Sequence, residues 1–491
     1  MSATAKDIPS SKHNHRNALT RGIFKAMGMF GGQQVLSIFC GLVRNKLVAI
    51  WIGPAGVGLL GIYSLVLDMA NNISNLGIRN SSVRDLSMAH VSGKREHIAR
   101  VVAVVRRWSW ALGVLWAFVM LAASPLLSRV TFGNSDHVWE FMALSGCVLV
   151  YAITNCEQAV MQGTKRLRHL AQTIVCGLVM GLVISIPMYY FLRIDGIVPS
   201  LIVYAVCGCV FSLIFRNRDF DRRHKGLSVK ETMKEGSQFV KLGICITIST
   251  FVGMLVSYIF MSLLNIMSGA DEMGLYKAGD TLVNRYGSLI FASIGLEYYP
   301  RLAAVSNSGR RLSIFVSNQV NIILYLLVPV VAIFLAAREL VVDILYSSDF
   351  RSIVTFVSWC MVGLVLKGAS WCIAFVILAK GASRVFLVTE TVSAVVCLTL
   401  NITFYRLWGL NGIGVSYVVW YALYLIMVTV VYRRLFGLSL HSSVPFHLLY
   451  AVAAVALSLW VVEIGLWTVA LAVAVATGAW SFSRLRRRLC S

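Results

Sequence analysis

Fourteen apolar stretches run through this chain, most of them near the roughly 20 residues a helix needs to cross a bilayer's hydrocarbon core. They fall at 22–50, 55–80, 99–124, 138–163, 170–192, 197–216, 238–267, 272–299, 312–337, 353–378, 383–405, 411–432, 444–463 and 465–482. Hydrophobic residues make up 58% of the chain and charged residues 13%, against roughly 25% charged in soluble proteins. That balance cannot cover the surface of a soluble globule. It equally excludes disorder, collagen and disulfide scaffolds. The expectation is an all-α integral membrane protein of about fourteen spans.

The net charge of +23 would suggest a nucleic-acid partner on a soluble chain. Here it has to sit in loops, where it reports orientation, and no nucleic acid is expected. With the N-terminus in the cytoplasm, cations gather after the even-numbered spans: Arg84, Lys94, Arg95 and Arg100; Lys165, Arg166 and Arg168; Arg216, Arg218, Arg222, Arg223 and Lys225; Arg301, Arg310 and Arg311; Lys380 and Arg384; Arg433 and Arg434. The chain closes on Arg484, Arg486, Arg487 and Arg488. The opposite loops are poorer in cations and mostly offset them, Arg129 with Asp136 and Arg193 with Asp195. Both termini are therefore expected in the cytoplasm. Residues 1–19, with His13 and His15, read as a polar cytoplasmic tail with no cleavable signal. Ten of the eleven cysteines lie inside apolar stretches and no CxxC occurs, so they read as small hydrophobes.

The chain also repeats itself. Gly53-Pro54-Ala55-Gly56-Val57-Gly58-Leu59 returns 216 residues later as Gly269-Ala270-Asp271-Glu272-Met273-Gly274-Leu275. The same offset carries Asp195-Gly196-Ile197 onto Asn411-Gly412-Ile413 and Arg95 onto Arg311. Two six-helix lobes follow, 20–216 and 236–432, joined by a basic cytoplasmic linker at 217–235 and followed by two extra helices and a basic tail in 433–491. Six is even, so the lobes enter from the same side as a parallel pseudo-repeat around a central cavity.

Leu366-Lys367-Gly368-Ala369-Ser370-Trp371, running on to Leu378-Ala379-Lys380-Gly381-Ala382-Ser383-Arg384-Val385-Phe386 and Thr389-Glu390, resembles Wzx-type flippases, the O-antigen and enterobacterial-common-antigen translocases of the multidrug/oligosaccharidyl-lipid/polysaccharide exporter superfamily. The Gly53-to-Leu59 turn and Tyr299-Pro300-Arg301-Leu302 are similar to patterns of that family. The resemblance covers about residues 20–432, and the last two helices depart from the twelve-span pattern of many members. It implies a multi-pass protein of the bacterial inner membrane. The implied activity carries an undecaprenyl-pyrophosphate-linked oligosaccharide from the cytoplasmic to the periplasmic leaflet, with no cofactor. Implied partners are that glycan, membrane lipid, and a polymerase and chain-length regulator of the same pathway.

Ionisable groups inside spans are costly and usually face a water-filled cavity. In span 2, Asp68, Asn72, Asn75 and Arg79 recur at spacings of four, three and four and share one helical face. That stripe reads as cavity lining, with interhelical hydrogen bonding as the alternative. Lys367 stands about midway along span 10, where snorkelling is strained. Arg285 in span 8 has Asp280 five residues before it as an uncertain partner. Arg79, Arg285 and Lys367 are the candidate anion donors, because a pyrophosphate needs permanently charged groups. Asn72 and Asn75 are candidate sugar contacts. Asp68, Glu390, Glu157 and Asp280 are candidates for ion coupling or gating; a structural bridge is the slightly favoured reading of Glu157. Arg106, Arg107 and Lys241 read as snorkelling, and Arg44 and Lys46 as facing an outer vestibule. No nucleotide-binding G-x-x-x-x-G-K-[ST] is present. Three other functions compete. A cation-drug antiporter of the same superfamily calls for an acidic or aromatic cavity. A membrane polysaccharide polymerase or ligase calls for a long outer loop with Arg and His, and the longest one here, 338–352, has no His. A peptidoglycan-precursor flippase shares fourteen spans and a cationic cavity.

Overall fold

In a computed structural model, residues 32–75, 77–91, 95–217 and 229–489 are described, and they are almost wholly α-helical. The expected tail at 1–19, most of the 217–235 linker and the side chains of Lys241 and Arg285 lie outside the described residues. Eleven helices among the described residues are long and apolar enough to cross a membrane. Within the described residues, all fourteen expected spans fall largely on helix. The numbers differ in part because two of the eleven each carry helix of two expected spans across a kink.

The chain divides into two compact units. The first holds the described residues up to Leu47, with Ala70–Pro125 and His137–Ile244. Its helices are α1 (Gly32–Trp51) in its first part, the end of α2 (Pro54–Asn75), α3 (Ile78–Val91), most of α4 (Arg95–Phe132), α5 (Val138–Gly163), α6 (Leu167–Phe191) and α7 (Ile197–Ile214). Its core is built where Leu86 and Ala89 of α3 meet Val101, Val102 and Val105 of α4 and Val160 of α5. Span 2 does not run to residue 80 as one helix. Helix α2 stops at Asn75, Gly77 takes φ +73°, and a new helix starts at Ile78. Arg79 is therefore not on the face that carries Asp68, Asn72 and Asn75, because a glycine with positive φ turns the chain between them.

The second unit holds Val48–Met69, Leu126–Asp136 and everything from Cys245. It contains most of α8 (Val229–Asp280), a π-helical segment Thr281–Tyr286, α9 (Gly287–Val305), α10 (Gly309–Ala336), α11 (Arg338–Leu345), α12 (Ile353–Ala379), α13 (Ser383–Arg434), α14 (Ser443–Glu463) and α15 (Trp467–Leu489). Helix α12 is buried along most of its length, which is why it is apolar on every face rather than on one stripe. The two extra helices, α14 and α15, pack on α10. Arg338, only 7% exposed, donates to Glu463 at the end of α14 at 2.5 Å and to Ser358 at 3.3 Å. Arg338, at the start of α11, thereby ties that helix to the end of α14.

The 216-residue offset recurs in the backbone. Gly53 and Gly269 both take positive φ, +86° and +87°. Lys165 and Gly381 do so at +57° and +71°, and Arg193 and Gly409 at +50° and +58°. A Cβ on Gly196 would strike the carbonyl of Met188, and one on Gly412 that of Phe404, again 216 residues on. In the second unit, residues meet their own counterparts. The Ala55 N–H donates to the Asp271 carboxylate at 3.0 Å. A Cβ on Gly58 would lie 2.8 Å from the nitrogen of Gly274, and one on Gly61 would strike the stem of Lys277. Helices that touch at matching positions three residues apart run parallel and in register.

Candidate functional site

The π-helical segment Thr281–Tyr286 is the local irregularity that builds the site. One extra residue per turn swings Asn284 out of regular α register, as such segments do at functional positions. The Asn284 carbonyl oxygen accepts from Lys367 Nζ at 2.7 Å and from the Tyr417 hydroxyl at 2.9 Å. Its amide nitrogen donates to Asp280 at 2.7 Å, and the other oxygen of Asp280 accepts from Lys277 at 3.2 Å. Two ammonium groups and one carboxylate thus share one network, which with all three ionised carries one net positive charge. Lys367 also lies 5.4 Å from the Tyr421 ring centroid and 5.9 Å from those of Phe291 and Tyr417. Aromatic faces attract a cation without neutralising it.

Two cavities adjoin this network. The smaller, about 90 Å³, is lined by Asp280, Asn284, Asn401 and Tyr417 among others. The larger, about 440 Å³, is lined by Lys367, Glu390, Trp371, Trp420, Tyr421 and Tyr424, with Phe375 and Phe386. Trp420 lines both. Glu390 accepts from the Tyr424 hydroxyl at 2.5 Å, and Trp420 donates through its indole nitrogen to Ser393 at 2.9 Å. The second unit therefore brings together Lys367, Asp280 and Glu390 of the sequence-derived candidates.

The first unit arranges its candidates differently. Arg79 donates to the Asn155 carbonyl oxygen at 3.4 Å, and Asn155 donates to Asn71 at 2.8 Å. Asn72 keeps a buried carbonyl oxygen with no hydrogen-bond partner among the described residues; Asn75 is half-buried. Glu157, 3% exposed, takes a two-pronged bond from Arg106 at 2.7 and 2.9 Å. Arg106 does not snorkel: it turns inward and bonds the buried Glu157 carboxylate. Arg44 sits over the Tyr204 ring at 5.2 Å. Asp68 is exposed on α2, in the part of that helix that belongs to the second unit.

Sequence reasoning passed over Lys277, Asn284, Asn155, Tyr417 and Tyr421. Lys277, Asp280 and Asn284 are spaced three and four apart, the same signal that singled out the Asp68 stripe. The two tyrosines carried no signal, since only a fold could bring α13 against Lys367.

The sequence family described as "Polysaccharide biosynthesis protein" matches residues 12–355. The Lipid III flippases of Escherichia coli (strain K12) and Shigella flexneri are each 22% identical over 368 residues, 72% of this chain and 85% of theirs. Among solved structures, lipid II flippase MurJ in an inward closed conformation superposes with a TM-score of 0.72 at 11% identity, covering 94% of this chain and 99% of that one. An inward-facing multidrug resistance MATE family transporter of the MOP superfamily superposes with 0.69 at 14% identity, covering 82% and 94%. The fold is thus that of these membrane transporters.

Proposed function

We propose, for a chain that belongs to the polysaccharide biosynthesis protein family, that it is a flippase for a lipid-linked oligosaccharide. It moves an undecaprenyl-pyrophosphate-linked repeat unit from the cytoplasmic to the periplasmic leaflet of a bacterial inner membrane, for surface polysaccharide synthesis. Both termini lie in the cytoplasm, and the two repeat lobes rock to give alternating access. The observation that carries this reading is the setting of Lys367. Its ammonium stands about midway along a buried helix and is held by an amide, a hydroxyl and three aromatic faces. A cation kept at that depth, with no carboxylate bonded to it directly among the described residues, is retained for an anion that arrives. Arg79 and Arg285 complete the anion donors, and Asn72, with its unbonded oxygen, and Asn75 serve sugar hydroxyls. The two 22%-identical relatives are named for a lipid-linked substrate, which supports the substrate class.

No covalent step is needed. The lipid tail stays in the bilayer while the head group passes, so the work is positioning and charge compensation. Asp68, Asp280 and Glu390 are the carboxyls available to couple the cycle to an ion gradient. The test is complementation of a strain lacking its own flippase for such a unit. Expression should restore surface glycan, and Arg285→Ala or Lys367→Ala should abolish it at normal protein levels. Full complementation by both alanine variants would show the anion assignment to be wrong.

A further inference from the structure

We infer that the larger cavity of the second unit is a saccharide subsite, which receives a hexopyranose ring of the lipid-linked glycan by stacking. This rests on the flippase reading and places the sugar where that reading does not. Its volume of about 440 Å³ falls in the roughly 300–1,000 Å³ range of small-molecule sites. Its walls carry two chemistries that one ligand class combines. Trp371, Trp420, Tyr421 and Tyr424 offer aromatic surface, and Lys367 and Glu390 offer a donor and an acceptor on the same cavity. A pyranose has an apolar C–H face and a rim of hydroxyls. The first matches an aromatic platform and the second matches ionised hydrogen-bonding groups. A polyprenyl tail would need neither Lys367 nor Glu390, and a bare pyrophosphate, even where Lys367 reaches it, would leave the aromatic walls and the Glu390 acceptor without a partner.

The walls are also held in place. Trp371 packs against Phe291, Tyr298 and Phe375, with ring centroids 5.5, 5.9 and 4.5 Å away. Trp420 is fixed by its bond to Ser393 and lies 4.3 Å from Tyr421. A rigid aromatic surface loses little entropy when a ring settles on it. Glu390 spends one oxygen on Tyr424 and keeps acceptor capacity for sugar hydroxyls. Among the amides of the first unit, Asn155 and Asn71 already bond one another.

The experiment compares two synthetic ligands on the full-length protein in nanodiscs: undecaprenyl pyrophosphate, and the same lipid carrying one N-acetylhexosamine. The wild type should bind the glycosylated lipid more tightly. The ratio of the two affinities should fall about tenfold in Trp371→Ala and Trp420→Ala, in the range for truncating a buried aromatic anchor. Trp371→Phe and Trp420→Phe should keep most of it, and the bare lipid reports in every variant whether the protein is folded. Equal wild-type affinities for the two lipids, or a ratio unchanged in the alanine variants, would overturn the subsite and leave the flippase reading standing. Binding of neither lipid by the wild type would overturn both.

Discussion

Asn284 is the residue on which the second-unit network turns, because its amide orientation is fixed from both ends. Its oxygen faces two donors and its nitrogen faces Asp280. Asn284→Asp would place two carboxylates within one network beside Lys367 and satisfy the ammonium directly, so transport should fall while the protein still accumulates. Quantifying surface glycan against protein level checks this. Asn284→Leu would take the shared acceptor from Lys367 and Tyr417 and leave Asp280 with Lys277 alone, and should lower stability as well as activity. The Arg106–Glu157 pair behaves differently. Removing one partner of a buried pair leaves an uncompensated charge, at a cost of about 3–5 kcal/mol. Arg106→Ala should therefore lower the thermal midpoint in detergent sharply. Arg106→Met with Glu157→Leu should recover most of that loss and retain export. Loss of export in a stable double variant would return Glu157 to the coupling groups.

At the scale of elements, the repeat dictates where helices touch. Gly58 and Gly274 let α2 and α8 approach so closely that a Cβ on Gly274 would overlap the carbonyl of Pro54. Gly274→Ala should cost about 1–3 kcal/mol, the usual penalty of forced overpacking. Gly146 in α5 is exposed with nothing within 4 Å of an added Cβ, so Gly146→Ala should be neutral or gain up to about 1 kcal/mol from helix propensity. Thermal midpoints of the two variants make the comparison. The Gly53/Gly269 and Gly196/Gly412 correspondences were legible in the sequence because glycine is needed wherever φ is positive or backbones nearly touch. Lys165 and Arg193 share the positive φ of Gly381 and Gly409 but were invisible, since no residue type announces them. The break at Gly77 was missed for a related reason: polar spacing at 68, 72, 75 and 79 is helical, and spacing alone does not report a glycine's dihedral. The membrane-length helices were legible because hydropathy registers bilayer thickness directly. The π turn at Thr281–Tyr286 was not, because it is set by what α9 and α12 demand of the chain rather than by composition.

For the whole molecule, hydropathy gives the membrane class, and loop charge predicts an orientation that labelling can test. Single cysteines at Asp195 and Lys225 should react with an impermeant thiol reagent from opposite faces of the membrane in a cysteine-free background. Labelling of both from one side would contradict the parallel repeat, because those loops follow an odd and an even span. Translocation itself is the central claim, and purified protein in liposomes isolates it from the rest of the pathway. The liposomes carry a fluorescent undecaprenyl-pyrophosphate-linked oligosaccharide, and the fraction reaching an impermeant glycan-degrading enzyme added outside is followed in time. Expected is exposure of the inner-leaflet pool beyond the half accessible at the start, with Lys367→Ala liposomes no faster than protein-free ones. Wild-type liposomes that expose the glycan no faster than protein-free liposomes would contradict the flippase account.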